Sequence, residues 1–525
     1  MFAQHERLIA TTQTCRVTGR IVEAAGLNLV AEGITLPVGS ICTIARHVGR
    51  SIPAQIVSTG VDRATLIPLE DAVGVGVGDL VTSTAGLQHV PVGREMLGSI
   101  LDGLGRPIGR QADFVGRGQD FTVEDHYPVF CDAPAALTRE PITDVLATGI
   151  RSIDAMLTVG TGQRIGLFAG TGVGKSVLTG MIARNTSADV IVLALVGERG
   201  REVGDFLRKD LGEEGLARSV VVVSTSDESP VLRVRAPFVA TAVAEYFRDL
   251  GKHVLLLMDS TTRMAMAQRQ IGLAAGEPPT TKGYPPSVFG LLPKLLERSG
   301  RLKTGSITGL YTVLVEGDDI SEPISDAVRS VLDGHVWLSR DLANRGHYPA
   351  VAVLESISRV MVDVVDQEHA KAAETIRRVL AVWNDIEDLV NLGAYAVGTN
   401  VEFDVAVKMK PAIDEFFQQR ITDKADFEAT LELVREIGYA QAYSFKYSAR
   451  PGTPAASMPG QIPEADRRAR LAEFQALLSA QQAKFNGRFV GRTLPVLALE
   501  RGRKPGQLWG RSPYMQAVHF DAPPS

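Results

Sequence analysis

The sequence predicts an α/β protein with three folding units in series and an extra, compositionally distinct tail. Three observations predict it: short β-branched runs broken by glycine up to about residue 92, buried-looking strands alternating with helical segments over 149–365, and helical spacing from 368 to 419. The length, 525 residues, allows about three or four units, each able to bury its own core. With 51 glycines and 27 prolines against 45% hydrophobic residues, the chain is neither collagen-like nor disordered.

The first unit is read from TCRVTGRIVEA, GSICTIA, PAQIVSTG, RATLIPLE and GDLVTST, the pattern of a small all-β barrel or sandwich. The glycine-dense GSILDGLGRPIGR, Gly98 to Arg110, reads as a connector out of it. In the second unit the strand candidates are Arg164 to Phe168, Val190 to Val196, Val220 to Ser224, Val254 to Asp259 and Leu310 to Val315. Continuous apolar runs of this kind suit a mostly parallel sheet covered on both faces. HAKAAETIRRVLAVWNDIEDLVNLG then carries helical periodicity. Beyond it, Lys446 to Pro463 is a proline- and glycine-rich linker, EADRRARLAEFQALLSAQQAKF is one amphipathic helix, and TLPVLALE and MQAVHF are short β runs. The predicted divisions are 1–95, 96–366, 367–422, 423–463 and 464–525.

The net charge of −5 is too mild to make nucleic acid or an anionic membrane the default partner. It hides an asymmetry, because from Ala440 onward twelve basic residues face five acidic ones. The cysteines, Cys15, Cys42 and Cys131, lack a disulfide or cluster spacing, which fits a reducing, cytoplasmic setting. No secretory signal and no apolar run of membrane-spanning length is read, so membrane association is expected only through partners. Nine scattered histidines form no HExxH or HxxxH pair, so a zinc site is not expected.

The strongest motif is Ala169-Gly170-Thr171-Gly172-Val173-Gly174-Lys175-Ser176, running from a buried strand into a helix, with Gly170 to Val177 as the expected nucleotide-binding residues. In such a P-loop the glycines turn backbone amides toward phosphate oxygens, and the helix amino terminus adds its positive end. Lys175 would neutralise the β and γ phosphates and Ser176 would ligate magnesium, making ATP and Mg2+ the expected ligands. Alanine replaces the usual first glycine. Transfer to water also needs a metal-holding acid and a group that takes the water's proton. Asp259, closing KHVLLLMD, stands at the Walker B position, and Glu198, after DVIVLALVG, ends a second strand as candidate general base.

GERGRE, Gly197 to Glu202, resembles the catalytic subunits of the rotary ATP synthase and the protein-export ATPases related to them. The longer series DGLGRPIG, LVGERGREV, LLMDSTTRMAMAQRQIGLAAGEPPTTKGYPPSVF, LPKLLERSG, DAVRSVLDGHVWLSRDLANRGHYPA and SISRV resembles the flagellar and type III secretion export ATPases, over about Thr14 to Gln419. The resemblance implies a RecA-like P-loop ATPase core between an N-terminal β-barrel and a helical domain, working as a homo-hexameric ring. It implies that Glu198 activates water, Asp259 completes the metal site and Glu202 supports metal-bound water. Arg199 and Arg263 match active-site arginines, Tyr348 the residue packing on adenine, and Arg359 the finger reaching a neighbour's nucleotide. It also implies as partners a stator-like negative regulator, a central-stalk protein, an export gate, and export chaperones and substrates. Flagellar export is the first expectation; an injectisome ATPase, a rotary proton or sodium synthase subunit, and an RNA-binding protein regulated by nucleotide and acting through its tail are the alternatives.

From Lys424 to Pro523 the chain resembles the end of the radical-SAM tRNA methylthiotransferases, including their small RNA-binding TRAM β-barrel, chiefly through YSFKYSARPGTPAA. That chemistry needs a CxxxCxxC motif, and no cysteine follows Cys131, so methylthiolation is excluded. RNA contact by Arg488, Arg492, Arg501, Arg503, Lys504 and Arg511 stays open beside a merely solvated basic surface. The junction at Ile421 to Ala425 is expected to cut off the export ATPase's last helix.

Overall fold

The computed structural model describes residues 16–26, 28–47, 49–84, 89–110, 121–315, 317, 319, 322–421, 434–435, 464–501, 507–513 and 516–521. It divides into two compact units, Met1–Asp423 and Lys424–Ser525. YSFKYSARPGTPAA, the linker to Pro463, and Arg503 and Lys504 lie outside the described residues.

The first unit opens with a closed barrel of six strands, Thr18–Ala25, Asn28–Glu32, Ile41–Ala45, Ile52–Thr59, Arg63–Pro68 and Leu80–Ser83. Alternation explains it: Ile52, Ala54 and Ile56 turn inward with Ile21, Leu29, Ile44, Leu66 and Val81 to make one core. Closure leaves the sheet with no unpaired edge.

The second part is a ten-stranded, largely parallel sheet. At its centre Arg164–Ala169, Ser306–Leu314, His253–Asp259, Val190–Val196 and Ser219–Ser224 lie side by side in that order. Val190–Val196 is buried at all seven positions because the sheet is covered twice. Val190, Val192, Ala194 and Val196 join the core beneath the helix Pro230–Asp249. Ile191, Leu193 and Leu195 face the other way, toward Leu178, Met181 and Ile182 of the helix Lys175–Asn185.

The segment read as a connector belongs to this sheet. Ser99–Leu101 pairs parallel with Ser219–Ser224 and turns back on Pro107–Arg110. The buried Ile100 and Leu101 supply the reason, since they complete the two cores at an edge that glycine content alone makes look like a loop.

The helical spacing of 368–419 resolves into two helices, Gln367–Asn391 and Val401–Phe417, packed on one another. Asp366 caps the first by accepting from the His369 N–H, and Asn400 caps the second at Glu402 and Phe403. Between them Gly393 takes φ +68°, the left-handed turn that ends a helix cheaply only at glycine. The second unit contributes the helix Glu464–Gly487 and the antiparallel sheet Leu497–Arg501, Gln507–Arg511, Ala517–Asp521. No helix among the described residues is long and apolar enough to cross a membrane.

One buried ion pair braces the face of the sheet away from the P-loop helix. Arg298 donates from Nε and Nη2 to the Glu245 carboxylate at 2.8 and 2.6 Å, and from Nη1 to the Val129 carbonyl at 2.6 Å. Removing one member strands a charge in the core, so Arg298→Ala is expected to lower unfolding free energy by about 3–5 kcal/mol. Urea denaturation followed by circular dichroism checks this through a lowered midpoint.

Candidate functional site

The site is built where the central strands run out. Arg164–Ala169 ends with Ala169 fully buried against Val173 and Leu178, so the alanine methyl packs where the usual glycine would leave a gap. Gly170 follows, then the exposed Thr171, and the loop turns through Gly172 and Gly174 at φ +81° and +91°. These left-handed angles need glycine. Val173 anchors the loop in the core, and the helix Lys175–Asn185 begins with no side-chain cap on its first amides. Those donors and the exposed Ser176 hydroxyl are what an anionic phosphate group takes up. Val177 lies one position further along the same turn, half-buried against the core.

Lys175 turns inward and is nearly buried. Its ammonium pairs with Asp259 and lies 3.9 Å from the Glu198 carboxylate. The sheet dictates this meeting, because Leu195 and Asp259 are register partners on adjacent parallel strands, and Glu198 follows three residues after Leu195. Gly197, at φ +71°, makes the turn that carries Glu198 over the sheet edge; a Cβ there would lie 2.9 Å from the Arg263 side chain. The Asp259–Ser260 peptide bond is cis, and Ser260 caps the next helix by accepting from the Arg263 N–H.

Burial pushes the Glu198 carboxyl above the usual range; Lys175 opposes that shift, while the Asp259 charge and a hydrogen bond with Glu202 add to it. Arg199 and Glu202 are exposed and 3.5 Å apart, at the start of the helix Gly200–Asp205. Ser176, Asp259 and Glu202 offer oxygen donors only, and no group of three or more His, Cys, Asp or Glu among the described residues forms a cage of its own. Such a set fits a hard cation like Mg2+ that completes its shell with water and phosphate oxygens.

Tyr348 stands beside the P-loop, half exposed, its ring 3.4 Å from where a Cβ on Gly174 would sit. Arg359 stands elsewhere. Its backbone N–H donates to the Asp333 carbonyl, and Asp333 N–H donates in turn to Arg164, the first residue of the P-loop strand. Five residues of strand, roughly 17 Å at 3.3 Å each, separate that end from Ala169. The exposed Arg359 therefore does not join its own chain's P-loop cluster, and no carboxylate pairs with it among the described residues.

Sequence reasoning missed two members of the site. Thr312, fully buried, donates from Oγ1 to Asp259 at 2.7 Å; its signal was a threonine inside an apolar strand. Arg340 donates from Nη1 to the Thr171 carbonyl at 3.1 Å, and nothing in its spacing announced that.

Residues 149–358 match the nucleotide-binding domain of the ATP synthase alpha/beta family, and 365–436 match the T3SS EscN ATPase C-terminal domain. The second match runs through Ile421 to Ala425, past the expected junction, and ends at residue 436. The chain is 46% identical to the flagellum-specific ATP synthase of Bacillus subtilis over 82% of its own length and 97% of that protein. It is 45% identical to the type 3 secretion system ATPase of Xanthomonas euvesicatoria, over 82% and 96%. Among solved structures, the assembled ATPase EscN from the enteropathogenic E. coli type III secretion system superposes with a TM-score of 0.74 at 42% identity, covering 80% of this chain and 99% of that one.

Thr312→Val keeps the shape of the side chain and deletes the donor to Asp259. The loss of a hydrogen bond to a buried charge is expected to cost about 1.5–3 kcal/mol of stability. Paired chemical melts of the two proteins measure it.

Proposed function

The chain belongs to the export ATPase family of flagella and type III secretion systems, within the ATP synthase alpha/beta proteins, and from that premise we propose that it hydrolyses ATP to power flagellar protein export. It would act as a ring of six identical copies at the cytoplasmic face of an export gate, reaching the membrane through partners. The observation that carries the reading is Lys175 held between Asp259 and Glu198 behind a loop of free amides. The match of 365–436 to the EscN C-terminal domain favours export over rotary synthesis.

In this reading the P-loop amides from Gly170 to Val177 and the Lys175 ammonium hold the β and γ phosphates. Ser176, Asp259 and Glu202 would hold Mg2+, which when bound would supply positive charge beside the phosphate oxygens. Glu198 accepts the proton of a water whose oxygen forms a bond to the γ phosphorus as the bridging P–O bond breaks. ADP leaves with that electron pair. Tyr348 packs its exposed ring face on adenine, and Arg199 and Arg263 flank Glu198 as further cations.

Arg359 is assigned to the neighbouring copy's nucleotide, since it stands at the far end of the sheet from its own P-loop. EscN has been solved with its central stalk EscO, which supports a stalk protein in the ring proposed here. A stator-like regulator, the gate, and chaperones with their cargo complete the proposed partners. RNA contact by the basic tail is a separate reading, tested by tRNA binding of the full chain as salt is raised.

Two results are expected. Turnover falls on the acid side with an apparent pKa above the ordinary glutamate range, because Glu198 must be ionised to accept a proton and its site opposes ionisation. In Glu198→Gln that limb disappears and kcat drops by about 10²–10⁴; a pH–rate profile of both proteins decides. Specific activity also rises with protein concentration, and Arg359→Ala lowers it by roughly 10³ or more at every concentration. Activity independent of concentration contradicts the shared site.

A further inference from the structure

The segment from Arg340 to Pro349 touches two parts of the molecule at once. Toward the P-loop it presents Arg340 to the Thr171 carbonyl and the Tyr348 ring to Gly174. Toward the helical domain, Arg345 is ion-paired to Glu387 and a ring nitrogen of His347 lies 3.5 Å from the Gln418 amide. The Tyr348 carbonyl accepts from the Gln419 N–H at 2.9 Å.

Gln419 is the fixed point of this arrangement. It is only 5% exposed although it lies beyond the end of the helix Val401–Phe417, where a polar side chain would ordinarily reach water. Its amide donates to the Gly149 carbonyl at 2.9 Å and accepts from the Arg151 N–H at 3.0 Å. The Arg151 guanidinium closes the loop by donating to the Gln418 carbonyl at 2.7 Å. A buried amide bonded at both ends has one low-energy placement, and that placement aims the residue's own N–H at Tyr348.

We infer that Gln419 is a positioning residue for the nucleotide: without touching it, Gln419 holds the Tyr348 backbone so that the ring stays against the P-loop. The inference rests on the reading of Tyr348 as the base-packing residue. A ring set in advance binds without first being ordered, so its release weakens nucleotide binding and leaves the reacting phosphate unchanged. The helical domain thereby takes part in nucleotide affinity.

The test is a double-mutant cycle on the full chain, with ATP KM and kcat measured for Gln419→Ala, Tyr348→Ala and the pair. Gln419→Ala is expected to raise KM about tenfold, on the scale of a lost buried hydrogen bond, with kcat within about twofold. Adding Gln419→Ala to Tyr348→Ala is expected to change KM no further. Arg151→Ala, which removes one tether and no buried side chain, gives the same pattern at smaller size and serves if Gln419→Ala melts below assay temperature. Loss of kcat at unchanged KM, or an equal rise in KM with Tyr348 already removed, overturns the inference. An unchanged KM in Tyr348→Ala alone instead overturns the assignment of Tyr348, which the cycle thus separates.

Discussion

The structure turns on one buried cation between two carboxylates. Taking Lys175, Asp259 and Glu198 out of water is costly for each, and the arrangement is tolerable only while the three stay together with Thr312 bonded to Asp259. That condition demands four strand ends in fixed order: Arg164–Ala169 delivers the P-loop, Ser306–Leu314 brings Thr312, His253–Asp259 ends in the acid, and Val190–Val196 leads to Glu198. The parallel sheet and its double helical cover are what hold those ends in register.

The same sheet sets the limits of a single chain. Its C-terminal edge gathers the phosphate loop and both carboxylates, and its opposite edge carries Arg359. A positive side chain at that distance does not reach its own chain's phosphate loop, which is why Arg359 is proposed to serve a neighbouring copy. The Arg340–Pro349 segment ties the same phosphate loop to the helical domain through Arg345 and the pinned Gln419. In the proposed reading, nucleotide affinity and helical-domain position share hydrogen bonds within one chain, and Arg359 links one chain to the next.

Much of this was legible in the sequence, for local reasons. Val190–Val196 reads residue for residue as a strand, since a seven-residue apolar run rich in Val and Ile, between Asp189 and Gly197, suits a strand covered on both faces. The P-loop and Asp259 read from spacing, because their chemistry depends on residues next to each other or at a strand's end. What stayed hidden depends on long-range packing. Glycine in Gly98–Arg110 masked a strand pair whose burial comes from a sheet edge more than a hundred residues away. Thr312, Arg340 and Gln419 owe their roles to partners 53, 169 and 270 residues distant, which no periodicity reports. The tail's basic count was plain from composition, yet composition does not say what it contacts.

A complete site is proposed to need Lys175 from one copy and Arg359 from its neighbour. Mixing Lys175→Ala with Arg359→Ala tests it most directly, since each variant alone lacks one half. Two nearly inactive proteins are expected to recover measurable ATP turnover when combined, as mixed rings form interfaces holding an intact lysine opposite an intact arginine. If each variant is folded and assembles, yet the mixture shows no more activity than the sum of its parts, the site does not draw Arg359 from a neighbour.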